Sequence, residues 1–312
     1  MSRLFEALSG ATAGHYEPGT IPPTSRPKVI APTRIHVETP PERTNSMEGS
    51  TEVTREPIGT EEVQIEEAPK LTAMAAPAGR LVAITNPNSL GAEKFRALAT
   101  RLDHLRQQNK LKSIQVTSSV VHEGKSFVAA NLALTLATHS GAKTLLIEGD
   151  LHRATLASLF GLCELRGLTH WWAGRDDEIT HYVQQFNGMP LWFLPAGNAC
   201  DQPSEILRSA RLATAFAQLA DTFDWIVVDS TPMLPIIDAN LWSRLVDGTL
   251  LVVREGMAPV KALKKGLQAL DHPKLIGVVI NESSETEAGR YEAQYYGAGR
   301  NPERATRRRH LM

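Results

Sequence analysis

The sequence predicts an α/β fold: a mostly parallel, doubly wound sheet with helices on both faces. Two observations carry this. First, short continuous apolar runs alternate with stretches of helical periodicity, as strands do when both faces of a parallel sheet are covered. Second, the chemically distinctive residues cluster just after those runs. A Gly-Lys-Ser loop follows one, and Glu148, Asp150, Asp229 and Asn281 follow others. Sheets of this kind bind ligands beyond the carboxyl ends of their strands.

The chain has 312 residues, 42% hydrophobic and 21% charged, enough for a sizeable core. Its first part does not contribute to that core. Residues 1–14 read either as a short amphipathic docking helix, with Leu4, Phe5 and Leu8 on one face, or as a frayed terminus, the second being preferred in the absence of a partner. Residues 15–78 read as a disordered linker. They are rich in Pro, Thr and Glu, hold about half of the 19 prolines, and have too little apolar material to offset the entropy of ordering. The N-terminus is too polar for a signal peptide, and no run of about 18 apolar residues would span a bilayer, so a membrane role is expected to come through a partner. Cys163 and Cys200 lack metal-ligand spacing and read as reduced thiols of a cytosolic protein.

The folded part is expected from Gly79 onward. Leu81-Val82-Ala83-Ile84-Thr85 reads as a strand and Asn86-Pro87-Asn88-Ser89 as a turn. Glu93 to Arg106 is helical, with Phe95, Leu98, Leu102 and Leu105 on one face. A strand at 112–118 leads into the loop and a helix to about Thr138, ended by Gly141. A strand at 143–147 ends in Glu148-Gly149-Asp150. Helical pieces follow at 154–160, 167–173 and 177–184, then a strand at 191–195. Ser204 would cap a helix to Leu219. Strands at 225–228, 248–253 and 275–280 and a helix at 260–270 complete the pattern.

The loop Ser119-Val120-Val121-His122-Glu123-Gly124-Lys125-Ser126 lies between a strand and a helix, where backbone N–H groups converge on an anion. Gly124 allows close approach to phosphates, Lys125 would reach the β- and γ-phosphates, and the Ser126 hydroxyl would ligate Mg²⁺. The usual motif has Gly or Ala where Ser119 stands. The net charge of -1 creates no overall field for nucleic acid or anionic lipid. The C-terminal arginines Arg304, Arg307, Arg308 and Arg309 have no interleaved aromatics, so no specific nucleic-acid partner is expected.

Several stretches together resemble the bacterial tyrosine autokinases of capsule and exopolysaccharide synthesis (BY-kinases), a P-loop NTPase family of the SIMIBI-like type. Thr117-Ser118-Ser119 through Ser126 is similar to that family's phosphate loop. Leu145-Leu146-Ile147-Glu148-Gly149-Asp150-Leu151-His152-Arg153 is similar to its second acidic motif, and Phe223 to Pro232 to its Walker B segment. Leu194-Pro195-Ala196-Gly197, Asp247-Gly248 and Gly277 to Asn281 also fit, so that the resemblance covers about residues 80–296.

The resemblance implies ATP and Mg²⁺ as cofactors, a kinase-like domain over 79–284 and a flexible tail over 285–312. Ser119, His122, Glu123, Gly124, Lys125, Ser126, Phe127 and Asn281 would line the nucleotide, Asn281 at the adenine; His122 would either touch a phosphate when protonated or, the preferred reading, point into solvent. Ser126, Asp150 and Asp229 would hold the metal. Lys125, Glu148, Asp150 and Asp229 would be catalytic, Glu148 by drawing the proton from a tyrosine hydroxyl whose pKa lies near 10. Tyr291, Tyr295 and Tyr296 stand where the family carries its phosphoacceptors, phosphorylated in trans. The resemblance further implies a cytoplasmic chain held at the inner face of the membrane by a polysaccharide co-polymerase, its activator.

There are departures from the pattern. His122 replaces Gly, Glu148 replaces Asp, and His152 replaces Arg. The helix motif tied to homo-oligomeric rings, Glu-x-x-Arg-x-x-Arg, keeps Glu93 and Arg96 but has Ala99 at its end. Two other readings remain. One is a non-kinase positioning ATPase of the septum-site or partitioning type, though the second lysine of that loop is missing here. The other is a degenerate nucleotide-binding regulator.

Overall fold

The computed structural model describes residues 68–71, 81–109, 111–174, 177–234, 237–269 and 274–282, all within the unit Thr60–Met312. In chain order they form β1 (Lys70–Leu71), α1 (Val82–Thr85), α2 (Leu90–Asn109), β2 (Ser113–Ser118), α3 (Lys125–His139), β3 (Thr144–Glu148), α4 (Leu156–Leu159), α5 (Leu168–Ala173), a 3₁₀ turn (Ile179–Tyr182), β4 (Gln184–Phe186), β5 (Leu191–Leu194), α6 (Pro203–Arg208), α7 (Ala210–Thr222), β6 (Trp225–Asp229), α8 (Asp238–Leu245), β7 (Gly248–Arg254), α9 (Val260–Ala269) and β8 (Leu275–Asn281).

The strands make one eight-stranded sheet in the order β1-β4-β5-β3-β6-β2-β7-β8. Neighbours run parallel except for β4 against β5. The predicted doubly wound α/β class is therefore the observed one.

Alternation along each strand assigns the two faces. Ile114, Val116, Leu146, Val227, Leu250 and Val252 meet α2 and α3 through Phe95, Leu102, Val128 and Leu132. Leu145, Ile147, Ile226 and Val228 meet α7 and α8 through Leu212, Phe216, Leu219 and Trp242. A smaller cluster joins Leu251 to Met233 and to Leu263 of α9. Residues Val128 to Ala137 of α3 are buried without a break, which suits a helix rich in Ala and Leu lying along a sheet. Each such Leu or Phe contributes about 1.5–3 kcal/mol by leaving water.

Several expectations change. Residues 82–85 form a helical turn instead of a strand. Both sides of β2 are already occupied, by β6 and β7, so Leu81 instead buries its side chain in the core and its carbonyl accepts the N–H groups of Ile84 and Thr85. The expected helix at 177–184 is one 3₁₀ turn, after which β4 pairs antiparallel with β5 and buries Phe186. The helix expected from Ser204 is two helices. Pro203 opens the first, and Ser209 interrupts at ψ 140 and caps the second, its hydroxyl accepting from Leu212 N. Lys70–Leu71, inside the expected linker, pairs with β4 at the sheet's edge. Helix α8 has no counterpart in the sequence reading. The N-terminal helix, most of the linker and the tyrosine-bearing tail lie outside the described residues. Among the described residues no helix is long and apolar enough to cross a membrane.

Candidate functional site

Strand register assembles the site. At the carboxyl end of the sheet Val116 lies opposite Asp229, and Glu148 opposite Asp229 on its other side. On the far side of β2, Ser118 lies opposite Val252 and, one strand further out, Arg254 opposite Asn281. The loop between β2 and α3 therefore emerges amid the acidic ends of β3 and β6 and the ends of β7 and β8.

The loop is stitched from within. Glu123 is fully buried. Its Oε2 accepts from Ser119 Oγ at 2.7 Å and from Val120 N at 2.9 Å, and its Oε1 accepts from Arg254 N at 3.3 Å. Asn281 Nδ2 donates to Glu123 O at 2.9 Å. The side chains of Ser119, Glu123 and Asn281 thus hold the loop's shape, a role the sequence reading did not foresee. Gly124 has φ +93, and a Cβ there would stand 2.2 Å from Asn281 Nδ2. His122 is exposed with φ 67, a left-handed conformation that a non-glycine residue adopts at a cost of about 1 kcal/mol. That cost explains why glycine is usual at this place. Phe127 faces the core and packs edge-on to Phe95 at 5.8 Å.

Lys125 is the hub. Its Nζ lies 2.9 Å from Asp150 Oδ2, 3.5 Å from Asp229 Oδ1 and 3.3 Å from Ser126 Oγ. Burial works against its charge, but Asp229 and Asp150 outweigh burial and hold its pKa above the ordinary lysine value. Burial pushes the Asp229 carboxyl up to about 6, against the opposing pull of Lys125 and Ser126. Asp229 Oδ2 is buried and has no hydrogen-bond partner among the described residues. Asp150 Oδ1 accepts from Arg153 N at 3.0 Å. Ser126 Oγ also accepts from Thr155 Oγ1 at 3.1 Å.

The orphaned Asp229 oxygen, the Asp150 carboxylate and the Ser126 hydroxyl are hard oxygen donors around one lysine, and they fit Mg²⁺. Among the described residues no group of three or more His, Cys, Asp or Glu could hold an ion by itself.

Glu148 does not join this cluster through its carboxylate. Its Oε1 accepts from Leu156 N at 2.6 Å and Ala157 N at 3.4 Å, and its Oε2 from Ala196 N at 3.2 Å. Burial raises its pKa, and these N–H groups oppose the rise. The side chain staples the start of α4 and the end of β5 to β3. Sequence reasoning missed Thr155, Asp238 and Trp242. The last two hydrogen-bond to His152 and to Gly149 O, and no motif spacing signals either contact. Arg96 is engaged by Glu93 and by Pro87 O. Tyr291, Tyr295 and Tyr296 lie outside the described residues.

No family model matches the chain. The tyrosine-protein kinase YwqD of Bacillus subtilis is 31% identical over 219 residues, covering 70% of this chain and 91% of that protein. The putative tyrosine-protein kinase CapB of Staphylococcus aureus is 31% identical over 214 residues, covering 68% and 92%. The solved kinase domain of the Escherichia coli tyrosine kinase ETK is similar with a TM-score of 0.59 and 29% identity, over 66% of this chain and 82% of that one.

Proposed function

This chain belongs to the family of bacterial tyrosine-protein kinases of capsule and exopolysaccharide synthesis, and we propose that it transfers the γ-phosphoryl group of ATP to its own C-terminal tyrosines, Tyr291, Tyr295 and Tyr296, in a second copy of the chain. The observation that carries this reading is the convergence of Lys125, Ser126, Asp150 and Asp229 at the end of β2.

Phosphoryl transfer asks a protein mainly for positioning and charge stabilisation. The N–H groups at the start of α3 and Lys125 would hold the phosphates. Ser126, Asp229 and Asp150 would hold Mg²⁺, which supplies charge neutralisation on the phosphate oxygens. Asp150 is the acid best disposed to orient a tyrosine hydroxyl and take its proton. Glu148 would serve there only after releasing three backbone N–H groups. Ser119, His122, Glu123, Gly124 and Phe127 would contribute through the loop's shape, and Asn281 by tying that loop to β8 as well as through any contact with the adenine. By family resemblance, the activator is the cytoplasmic end of a membrane polysaccharide co-polymerase, which would hold the kinase at the inner face of the membrane.

The test is incubation of the full chain with radiolabelled ATP and Mg²⁺, with and without such a co-polymerase peptide. Lys125→Ala and Tyr291/Tyr295/Tyr296→Phe variants run alongside. Label that requires both Lys125 and the tyrosines is expected. Phosphate release without protein label would instead mark a positioning ATPase, and ATP binding with neither would mark a nucleotide-binding regulator.

A further inference from the structure

Asp150 is flanked by two residues that are both gripped from the same helix. On one side, Trp242 Nε1 donates to Gly149 O at 3.0 Å. The indole lies so close that a Cβ on Gly149 would stand 2.8 Å from Trp242 Cε2 and Nε1, and 2.8 Å from Val228 Cγ1. On the other side, His152 Nε2 lies 2.9 Å from Asp238 Oδ2. Trp242 is fully buried and Asp238 is 1% exposed. The two are four residues apart on α8, and so share one face of it. Just after the gripped stretch, Arg153 N donates to Asp150 Oδ1, and the other carboxylate oxygen meets Lys125.

We propose that α8 is a positioning clamp: Trp242 and Asp238 hold Gly149 and His152 so that the Asp150 carboxylate stays aimed at Lys125 and the metal position. Packing alone does not require this arrangement. Trp242 would fill the same volume against Phe216, 6.2 Å away between ring centroids, without an N–H aimed at Gly149 O. Asp238 is a buried carboxylate whose partner is a partly exposed histidine, and an apolar residue would serve the core better. Both polar contacts converge on the turn that carries Asp150.

The inference rests on the Mg²⁺-nucleotide reading of the site, so its test has two arms. In the first, backbone hydrogen exchange is followed on the full chain without metal or nucleotide. Trp242→Phe and His152→Ala are expected to speed exchange over 149–155 by about tenfold or more, leaving β2 unchanged, and His152→Gln to restore protection through its side-chain amide. In the second, binding of a fluorescent ATP analogue is titrated with Mg²⁺. The variants are expected to keep their Mg²⁺-free affinity within about twofold and to need several-fold more Mg²⁺ for half-maximal enhancement. Unchanged exchange over 149–155 would overturn the clamp, and so would faster exchange throughout the fold or an equal loss of affinity with and without Mg²⁺. If Mg²⁺ enhances nothing in the unaltered chain, the reading of the site fails, while the exchange arm still decides whether α8 holds the turn.

Discussion

A carboxylate that accepts three backbone N–H groups cannot become an amide without turning a donor toward a donor. Glu148 is in that position. Glu148→Gln is expected to destabilise the fold by roughly 1–3 kcal/mol, the cost of a buried unsatisfied group, read as a lowered melting temperature. A variant that loses activity with its melting temperature unchanged would return the proton-accepting role to Glu148. Asp229 behaves in the opposite sense. Its pKa in the folded chain is raised to about 6 by burial, so the folded state binds the proton more tightly than the unfolded chain does. The ionised form therefore costs stability. That cost is complete above pH 6 and fades as the pH falls from there toward the ordinary carboxylate value near 4. Asp229→Asn, with Lys125 still paired to Asp150, is expected to raise the melting temperature of the metal-free chain at pH 7.5, and by less at pH 5. Thermal melts at the two pH values check this, and a variant less stable at pH 7.5 contradicts it. The sequence revealed which residue types meet here, because Lys125, Ser126, Asp150 and Asp229 stand at motif spacing. It did not reveal what Glu123 and Asn281 do. Their bonds join positions 131 and 158 residues apart, and only the sheet order brings those together.

At the scale of elements, the phosphate loop depends on one backbone conformation. Gly124→Ala imposes φ +93 on a residue with a Cβ and drives that Cβ into Asn281 Nδ2, which must then leave Glu123 O. The strain alone is about 1–2 kcal/mol. Calorimetric titration with ATP is expected to show at least about a tenfold loss of affinity, with the melting temperature falling only modestly. Retained affinity would mean the loop reshapes when it binds. Elements were legible wherever a run was long and its surroundings uniform, as in α3 or β6. They were misread where tertiary context decided. Leu81-Val82-Ala83-Ile84 has strand composition, but no strand position beside β2 was vacant. Gln184-Gln185-Phe186 has no strand pattern of its own and pairs only because β5 offers an edge. Ser209 resembles a helix-interior serine until its hydroxyl is seen capping α7.

At the scale of the whole molecule, the sheet order sets where the segment bearing Tyr291, Tyr295 and Tyr296 begins. β8 ends at Asn281, which touches the phosphate loop, and Tyr291 follows ten residues later. Ten residues span at most about 33–36 Å when extended, so chain length alone permits a tyrosine to reach the site of its own copy. The family resemblance points instead to transfer between copies, and mixing two incomplete chains separates these routes. Lys125→Ala keeps the tyrosines without a working loop, and Tyr291/Tyr295/Tyr296→Phe keeps the loop without acceptors. Neither is expected to take label alone. Together, label is expected on the Lys125→Ala chain, at a rate that rises with the concentration of the other. If the mixture stays unlabelled while the unaltered chain labels itself at a rate independent of its concentration, transfer is within one copy. Asn281 would then anchor the tail beside the loop that serves it.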